Sequence, residues 1–111
     1  MAVFVIRSGP RHAVRQVVSI TDAHGNQQSA LLIELSQDGC RLSQLHAIAL
    51  EDDQPLTISV AGTQDLNARV RWRRDATAGL LLDRPLHRAE LAALVDRCRS
   101  ASPPEALRRR V

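Results

Sequence analysis

The chain has 111 residues, of which 44% are hydrophobic and 24% charged, and its net charge is +3 at neutral pH. This length predicts one domain with a modest core, and this hydrophobic content excludes a wholly disordered chain. No apolar run approaches the ~20 residues that span a membrane, and the apolar start of the chain is too short for a signal peptide. We therefore expect a cytoplasmic protein.

The composition also narrows the classes of partner. The basic residues are all arginine, and the small positive charge is far from the dense basic stripe of a dedicated nucleic-acid binder. One tryptophan, one phenylalanine and no tyrosine leave no aromatic platform for single-stranded bases. The same scarcity requires a core built from aliphatic side chains.

Neither the cysteines nor the histidines predict a metal site. Cys40 and Cys98 lie far apart in no CxxC pattern, so we expect two small buried residues in a reducing compartment. The four histidines are scattered and share no strand or helix spacing. The sequence therefore implies no metal and no other cofactor.

Short strands separated by turn residues dominate the chain. Alternating or β-prone apolar runs predict strands over residues 14–20, 28–35, 40–42, 56–60, 66–73 and 78–82. Because side chains alternate along a strand, Leu31, Ile33 and Leu35 are expected to point together into the core. By the same alternation, Trp72 is expected on the apolar face of its strand.

The two ends and one central segment are less regular. Residues 2–6 form either an edge strand or part of a flexible N-terminal segment over residues 1–10. Residues 44–53 form either one helical turn or a loop. The arginine-rich residues 101–111 are expected to be a disordered basic tail, which leaves residues 11–100 as the folded domain.

One helix is predicted after the last strand, over residues 86–99. Pro85 fits its first turn, where a missing N–H costs nothing. An apolar stripe at i, i+3, i+4 and i+7 is expected to face the strands, and it comprises Leu91, Leu94, Val95 and Cys98. Six short antiparallel strands fit either a closed barrel or a sandwich, and their pattern alone does not choose between the two.

Two short stretches carry the candidate chemistry. Arg11 and Arg15 lie four positions apart, and guanidiniums bind phosphate oxygens and purine edges. Glu34 and Ser36 share one strand face, so their carboxylate and hydroxyl suit the N–H edge of a base. Gly39 follows in a tight turn, where a positive φ is expected. Together they describe a receptor for an anionic nucleotide, although the two arginines also fit a solvated basic linker.

No pattern typical of an enzyme accompanies these residues. Ser36 has no GxSxG elbow around it and no identifiable His–Asp partners, and no glycine-rich phosphate loop is present. Arg69, Arg71 and Arg73 form a basic row on one strand. That row fits a solvated face paired with acidic neighbours, or long-range support of an anionic ligand.

The motif RxxxR followed by (D/N)xSxxG is typical of PilZ domains, the bacterial receptors for the second messenger cyclic di-GMP, and this chain resembles that pair. Arg11 and Arg15 match the first motif, whereas Ser36 and Gly39 match the second. Glu34 stands where the family has Asp or Asn. Residues 68–72 and 78–82 are similar to the family's closing strand pair, so the resemblance runs from about residue 11 to residue 86.

This resemblance implies an all-β fold, a small six-stranded antiparallel barrel with a C-terminal α-helix. It also implies a non-enzymatic receptor that passes its signal to a protein partner. The residues that would bind cyclic di-GMP are Arg11, Arg15, Glu34, Ser36 and Gly39. The arginines would hold phosphate or guanine, and Glu34 and Ser36 would hold a guanine.

Two alternatives to the receptor stay open. The first keeps the fold without the ligand, as a PilZ-like adaptor that works by protein contact. The second is a small arginine-rich barrel that binds RNA or DNA phosphates, for which binding would depend strongly on salt.

Overall fold

Six antiparallel strands hydrogen-bond in the order β1-β2-β3-β6-β5-β4 and close into a barrel, which one helix follows. The computed structural model describes residues 10–45 and 50–100. The elements are β1 (His12–Asp22), β2 (Gln27–Leu35), β3 (Gly39–Ser43), β4 (Pro55–Ser59), β5 (Leu66–Arg74), β6 (Thr77–Leu82) and α1 (Arg88–Ser100). The predicted barrel with a C-terminal helix is confirmed.

The interior of the barrel is aliphatic, as the scarcity of aromatic residues requires. Its most deeply buried large side chains are those of Ile20, Leu32, Leu35, Leu42, Leu45, Ile58 and Val70. Both cysteines are free and buried against this core, which confirms the packing predicted for them. Burial raises the pKa of the Cys40 thiol to about 12, because a thiolate would lose its hydration there.

An extra residue in β2 changes which side chains face the core. Between Leu32 and Glu34 the register against β3 shifts by one residue, so Ile33 forms a β-bulge. Leu32 and Leu35 both enter the core, whereas Ile33 is only half-buried and Leu31 is buried outside the core cluster. The expected alternation was therefore wrong at Ile33, whereas Leu31 and Leu35 are buried as expected.

A second bulge places the tryptophan outside. The register between β5 and β6 shifts between Val70 and Trp72, which leaves Arg71 as the extra residue. Val70 is buried, and Trp72 is 39% exposed on the outer face. The prediction that Trp72 joins the apolar face was wrong because strict alternation does not survive a bulge.

The helix begins later than predicted. α1 starts at Arg88, so Pro85 precedes the helix and does not occupy its first turn. His87 caps it: the Glu90 carboxylate accepts the backbone N–H of His87 at 2.8 Å, as in a capping box, and this bond lowers the pKa of Glu90. The predicted stripe is confirmed, since all four of its residues are buried.

The helix lies beside the part of β1 that extends past its ladder with β4. The ladder between β1 and β4 joins Ser19–Asp22 to Leu56–Ser59, whereas β2 pairs with β1 from His12 onward. α1 packs against β1. The helix therefore lies beside the part of β1 that β4 does not pair with in the described part of the chain. We call this junction, between residues 12–18 of β1 and the end of β4, the seam.

Several predictions fall outside the described residues. They concern the edge strand at residues 2–6, residues 46–49 of the uncertain central segment, and the basic tail over residues 101–111. Over residues 10–45 and 50–100, no helix is long and apolar enough to cross a membrane. The same residues contain no group of three or more His, Cys, Asp or Glu that could hold a metal ion.

Candidate functional site

One line of outward-facing residues crosses five of the six strands. Register pairs Ala13 of β1 with Glu34 of β2, Glu34 with Arg41 of β3, Arg41 with Gly79 of β6, and Gly79 with Trp72 of β5. Directly paired residues share one face of a sheet. We call these five residues the outer row.

Glu34 lies between two arginines on this face. Its Oε2 is 3.5 Å from Nε of Arg11, and its Oε1 is 3.5 Å from a terminal nitrogen of Arg41. The Glu34 side chain is 20% exposed, compared with 50% for Arg11 and 38% for Arg41. Exposed pairs at this separation contribute about 0–1 kcal/mol each, so an incoming anion can compete for either arginine.

Arg41 also stacks on the aromatic end of the outer row. Its guanidinium carbon lies 5.6 Å from the centroid of the Trp72 ring, within the range of a cation–π contact. The indole lies over Gly79, where a Cβ atom would collide with its nitrogen. Because Gly79 has no side chain, the Trp72 ring can lie against the sheet.

An open cleft of about 440 Å³ adjoins this stack. Its lining residues are Arg41, Trp72, Arg74, Asp75 and Thr77. An aromatic ring beside two guanidiniums offers stacking together with anion binding, a combination that suits a purine nucleotide. The cleft is continuous with the outer row because Arg41 and Trp72 belong to both.

The second motif forms the turn between β2 and β3. Backbone N–H of Ser36 donates to the Gly39 carbonyl at 2.9 Å, and the Ser36 hydroxyl donates to the same oxygen at 3.3 Å. A Cβ on Gly39 would come 2.8 Å from the carbonyl oxygen of Leu80. Among the described glycines only Gly25 and Gly62 have positive φ, so the φ expected for Gly39 was wrong. Close packing against β6 explains the glycine instead.

The same turn is held from the opposite side by the residues that precede α1. The N–H of Leu86 donates to the Gln37 carbonyl at 2.7 Å, and the Gln37 side-chain amide donates to the Leu86 carbonyl at 3.1 Å. The N–H of Leu82 donates to the Asp38 carbonyl at 2.9 Å. The turn is thereby fixed at both of its central residues.

The structure brings the predicted residues together in two pairs. Arg11 contacts Glu34 directly, and Ser36 contacts Gly39. Arg15 is an exposed residue of β1, inside the register shift between Ala13 and Gln16. Arg15 therefore lies two residues after Ala13, the residue of β1 that belongs to the outer row.

The three arginines of β5 do not form one row. Arg69 pairs with Asp83 at 3.7 Å and donates to the Asp53 carbonyl. Arg73 is half-buried and donates to the carbonyls of Asp75 and Leu45. Arg71 is the bulged residue. For Arg69, pairing with an acidic neighbour favours the ordinary solvated face over support of a ligand.

A comparison with protein families matches the model for the PilZ domain over residues 6–99. The chain belongs to the PilZ domain family. This match confirms the family predicted from the two motifs. The general role of PilZ domains is that of a receptor domain for cyclic di-GMP and not that of an enzyme.

Among solved structures, the chain is similar to the crystal structure of the PilZ domain of CeSA from a cellulose-synthesizing bacterium. The TM-score is 0.59 at 17% sequence identity, over 80% of this chain and 93% of that chain. At this identity the likeness shows the PilZ fold. No curated protein matches the sequence.

Two residues of this site were absent from the sequence-based list. Arg41 is a lone arginine after the turn, and only the register between β2 and β3 places it beside Glu34. For Trp72, strict alternation predicts the apolar face of β5, because the bulge before it has no clear sequence signal.

Proposed function

We propose that this PilZ domain is a cytoplasmic receptor that binds cyclic di-GMP on the outer row and passes the signal to a protein partner. The observation that carries the proposal is the meeting of the two motifs at Glu34, where Arg11 and Arg41 converge. Two guanidiniums contact one carboxylate on this face, and Arg15 is an exposed residue of the same β1 segment. An excess of positive charge beside an exposed ring suits a ligand with two phosphates and two guanines.

The proposed roles follow from the chemistry of each group. Arg11 and Arg15 hold phosphate oxygens or the O6/N7 edge of a guanine. Glu34 and Ser36 provide acceptors for guanine N–H groups. Gly39 keeps the turn close to β6, so that Ser36 stays beside the outer row.

Arg41 and Trp72 extend the site in this proposal. A base entering the cleft could stack on the exposed indole, and such base–aromatic stacking contributes about 1–3 kcal/mol. The two residues would then select for a ligand with planar bases, whereas Arg11 and Arg15 respond mainly to negative charge.

Titration calorimetry with cyclic di-GMP tests the receptor. We expect saturable binding by the wild type, and a loss of about 1.5–3 kcal/mol in Arg11→Ala or Arg15→Ala, the range for hydrogen bonds to charged groups. Arg88→Ala, an exposed arginine at the start of α1, serves as the matched charge control. Cyclic di-AMP serves as the control for the base.

The alternative function is the PilZ-like adaptor that works without the ligand. Glu34 already engages Arg11 and Arg41, so the internal carboxylate occupies groups that would otherwise face an anion. Absence of binding at high micromolar cyclic di-GMP would favour the adaptor. Salt-sensitive binding to an oligonucleotide, with no response to cyclic di-GMP, would instead favour the nucleic-acid barrel.

A further inference from the structure

Helix α1 is attached to both motifs of the candidate site. Just before its first turn, Leu86 exchanges two hydrogen bonds with Gln37, in the turn of the second motif. In its last turn, Nε of Arg99 donates to the backbone carbonyl of Ala13 at 3.0 Å. Ala13 is the central residue between Arg11 and Arg15.

The seam in the barrel explains how a helix side chain reaches this carbonyl. β1 pairs with β4 only from Ser19 onward, and α1 packs against β1. The last turn of α1 holds both sides of the seam. Arg99 bonds to β1 at Ala13, and Nε of Arg97 donates at 3.1 Å to the carbonyl of Ala61, just beyond β4.

The position of Ala13 relates this contact to ligand binding. Ala13 pairs with Glu34 and so belongs to the outer row, and the register shift of β1 begins immediately after it. A bulged segment pairs less regularly with its neighbour strand. The hydrogen bond from Arg99 therefore gives the first residue of this segment a contact outside the strand ladder.

We infer that Arg99 is a positioning residue for the arginine motif, so that the seating of the last turn of α1 and the occupancy of the outer row are coupled. The coupling rests on the proposed function, because it requires a ligand that Arg11 and Arg15 hold. Such coupling is reciprocal in binding free energy. A ligand that fixes Ala13 stabilises the last turn of the helix, and a partner that moves this turn changes the affinity for the ligand.

The chain provides a matched control for the test. Arg97 and Arg99 are both exposed arginines of the same helical turn, and each donates its Nε to one backbone carbonyl. They differ in the backbone that they contact: Arg97 bonds to Ala61 after β4, and Arg99 bonds to Ala13 in β1. Arg97→Ala removes a contact on the β4 side, and Arg99→Ala removes the contact inside the arginine motif.

The first measurement is amide hydrogen exchange without ligand. We expect faster exchange over residues 12–16 in Arg99→Ala, unchanged exchange there in Arg97→Ala, and partial recovery in Arg99→Lys, which keeps a cationic donor. Equal exchange over these residues in wild type and Arg99→Ala would overturn the inference, whether or not the protein binds a ligand.

The second measurement is the affinity for cyclic di-GMP, together with exchange over residues 96–99 in its presence. We expect binding about threefold to tenfold weaker in Arg99→Ala, and ligand-dependent protection of residues 96–99 that persists in Arg97→Ala but disappears in Arg99→Ala. A purely structural role would not remove that response selectively. Unchanged affinity and an unchanged response would overturn the coupling. A wild type that does not bind overturns the proposed function, and the first measurement then decides the positioning role alone.

Discussion

The indole of Trp72 occupies the space that a side chain on Gly79 would need. The two residues are register partners on adjacent strands, and they form the end of the outer row that faces the cleft. The exposed ring is thus supported by the backbone of β6 and bordered by Arg41. This support gives the ring a defined place at the surface without burying it.

Replacing Gly79 by alanine should displace the ring without unfolding the barrel. Trp72 is the chain's only tryptophan and the sequence has no tyrosine, so intrinsic fluorescence reports on this position alone. We expect a red-shifted emission in Gly79→Ala, because a displaced indole is more exposed than 39%. Affinity for cyclic di-GMP should fall by about as much as in Trp72→Ala. An emission spectrum identical to that of the wild type would contradict the packing described here.

Shortening Glu34 should strengthen ligand binding. Aspartate at this position restores the family pattern, and its shorter side chain should release Arg11 and Arg41 from their shared partner. We expect Glu34→Asp to bind cyclic di-GMP about tenfold more tightly, or ~1.4 kcal/mol. The free energy of unfolding should change by about 0.5 kcal/mol or less, since exposed ion pairs contribute little.

Glu34→Gln separates the two effects of this carboxylate. It releases the arginines while keeping the length of the side chain, but it removes the charged acceptor for guanine. Weaker binding by Glu34→Gln together with tighter binding by Glu34→Asp would assign Glu34 to the base. If the wild type already binds tightly and aspartate adds nothing, glutamate is simply an accepted variant at this position.

Removing the Gln37 side chain should loosen the turn of the second motif. Its amide donates to the Leu86 carbonyl at 3.1 Å, and a hydrogen bond of this kind contributes about 0.5–1.5 kcal/mol. We expect Gln37→Ala to raise amide exchange over residues 36–39 and to weaken cyclic di-GMP binding.

Gln54→Ala is the matched control for this change. Its side chain also makes one hydrogen bond to the backbone, accepting the N–H of Glu51 at 2.9 Å, but it lies outside both motifs. Equal effects of the two variants on ligand affinity would show that the anchoring of the turn is irrelevant to the site.

Both thiols should resist alkylation in the folded protein. With a pKa of about 12, the Cys40 thiolate fraction at pH 8 is on the order of 10⁻⁴, and burial also raises the pKa of Cys98. In the unfolded chain both thiols ionise near their ordinary pKa of about 9, whereas in the folded protein they stay protonated to a higher pH. The free energy of unfolding therefore falls as the pH rises above about 9. We expect alkylation of either thiol only in denaturant, measured by mass spectrometry. Rapid labelling of native Cys98 would mean that α1 opens readily.

The sequence predicts the fold well wherever strands alternate without interruption. Val18 and Ile20 enter the core as a period of two requires. Alternation fails at Ile33 and Arg71, because a bulge depends on how two strands pair and not on the bulged residue itself. The predicted start of α1 was wrong because the helix is capped at His87 by its bond to Glu90, two residues after Pro85.

The candidate site was predictable only in part for the same reason. Motif spacing identified Arg11 and Glu34, and the structure places them in contact. Arg41 and Trp72 become neighbours through the pairing of β3, β6 and β5. Such relations between distant parts of the chain carry no local signal, so they required the three-dimensional register.

The incomplete pairing of β1 with β4 has a consequence for how a partner could engage this domain. In the described part of the chain, α1 lies beside the unpaired portion of β1, and Arg99 bonds to it. An uncovered strand edge is a template for intermolecular β-pairing and aggregation. A partner that displaced the helix would therefore have to protect that edge itself, either with a helix of its own or by adding a strand to β1. In the described part of the chain, the helix thus shields this portion of β1 from pairing with another molecule.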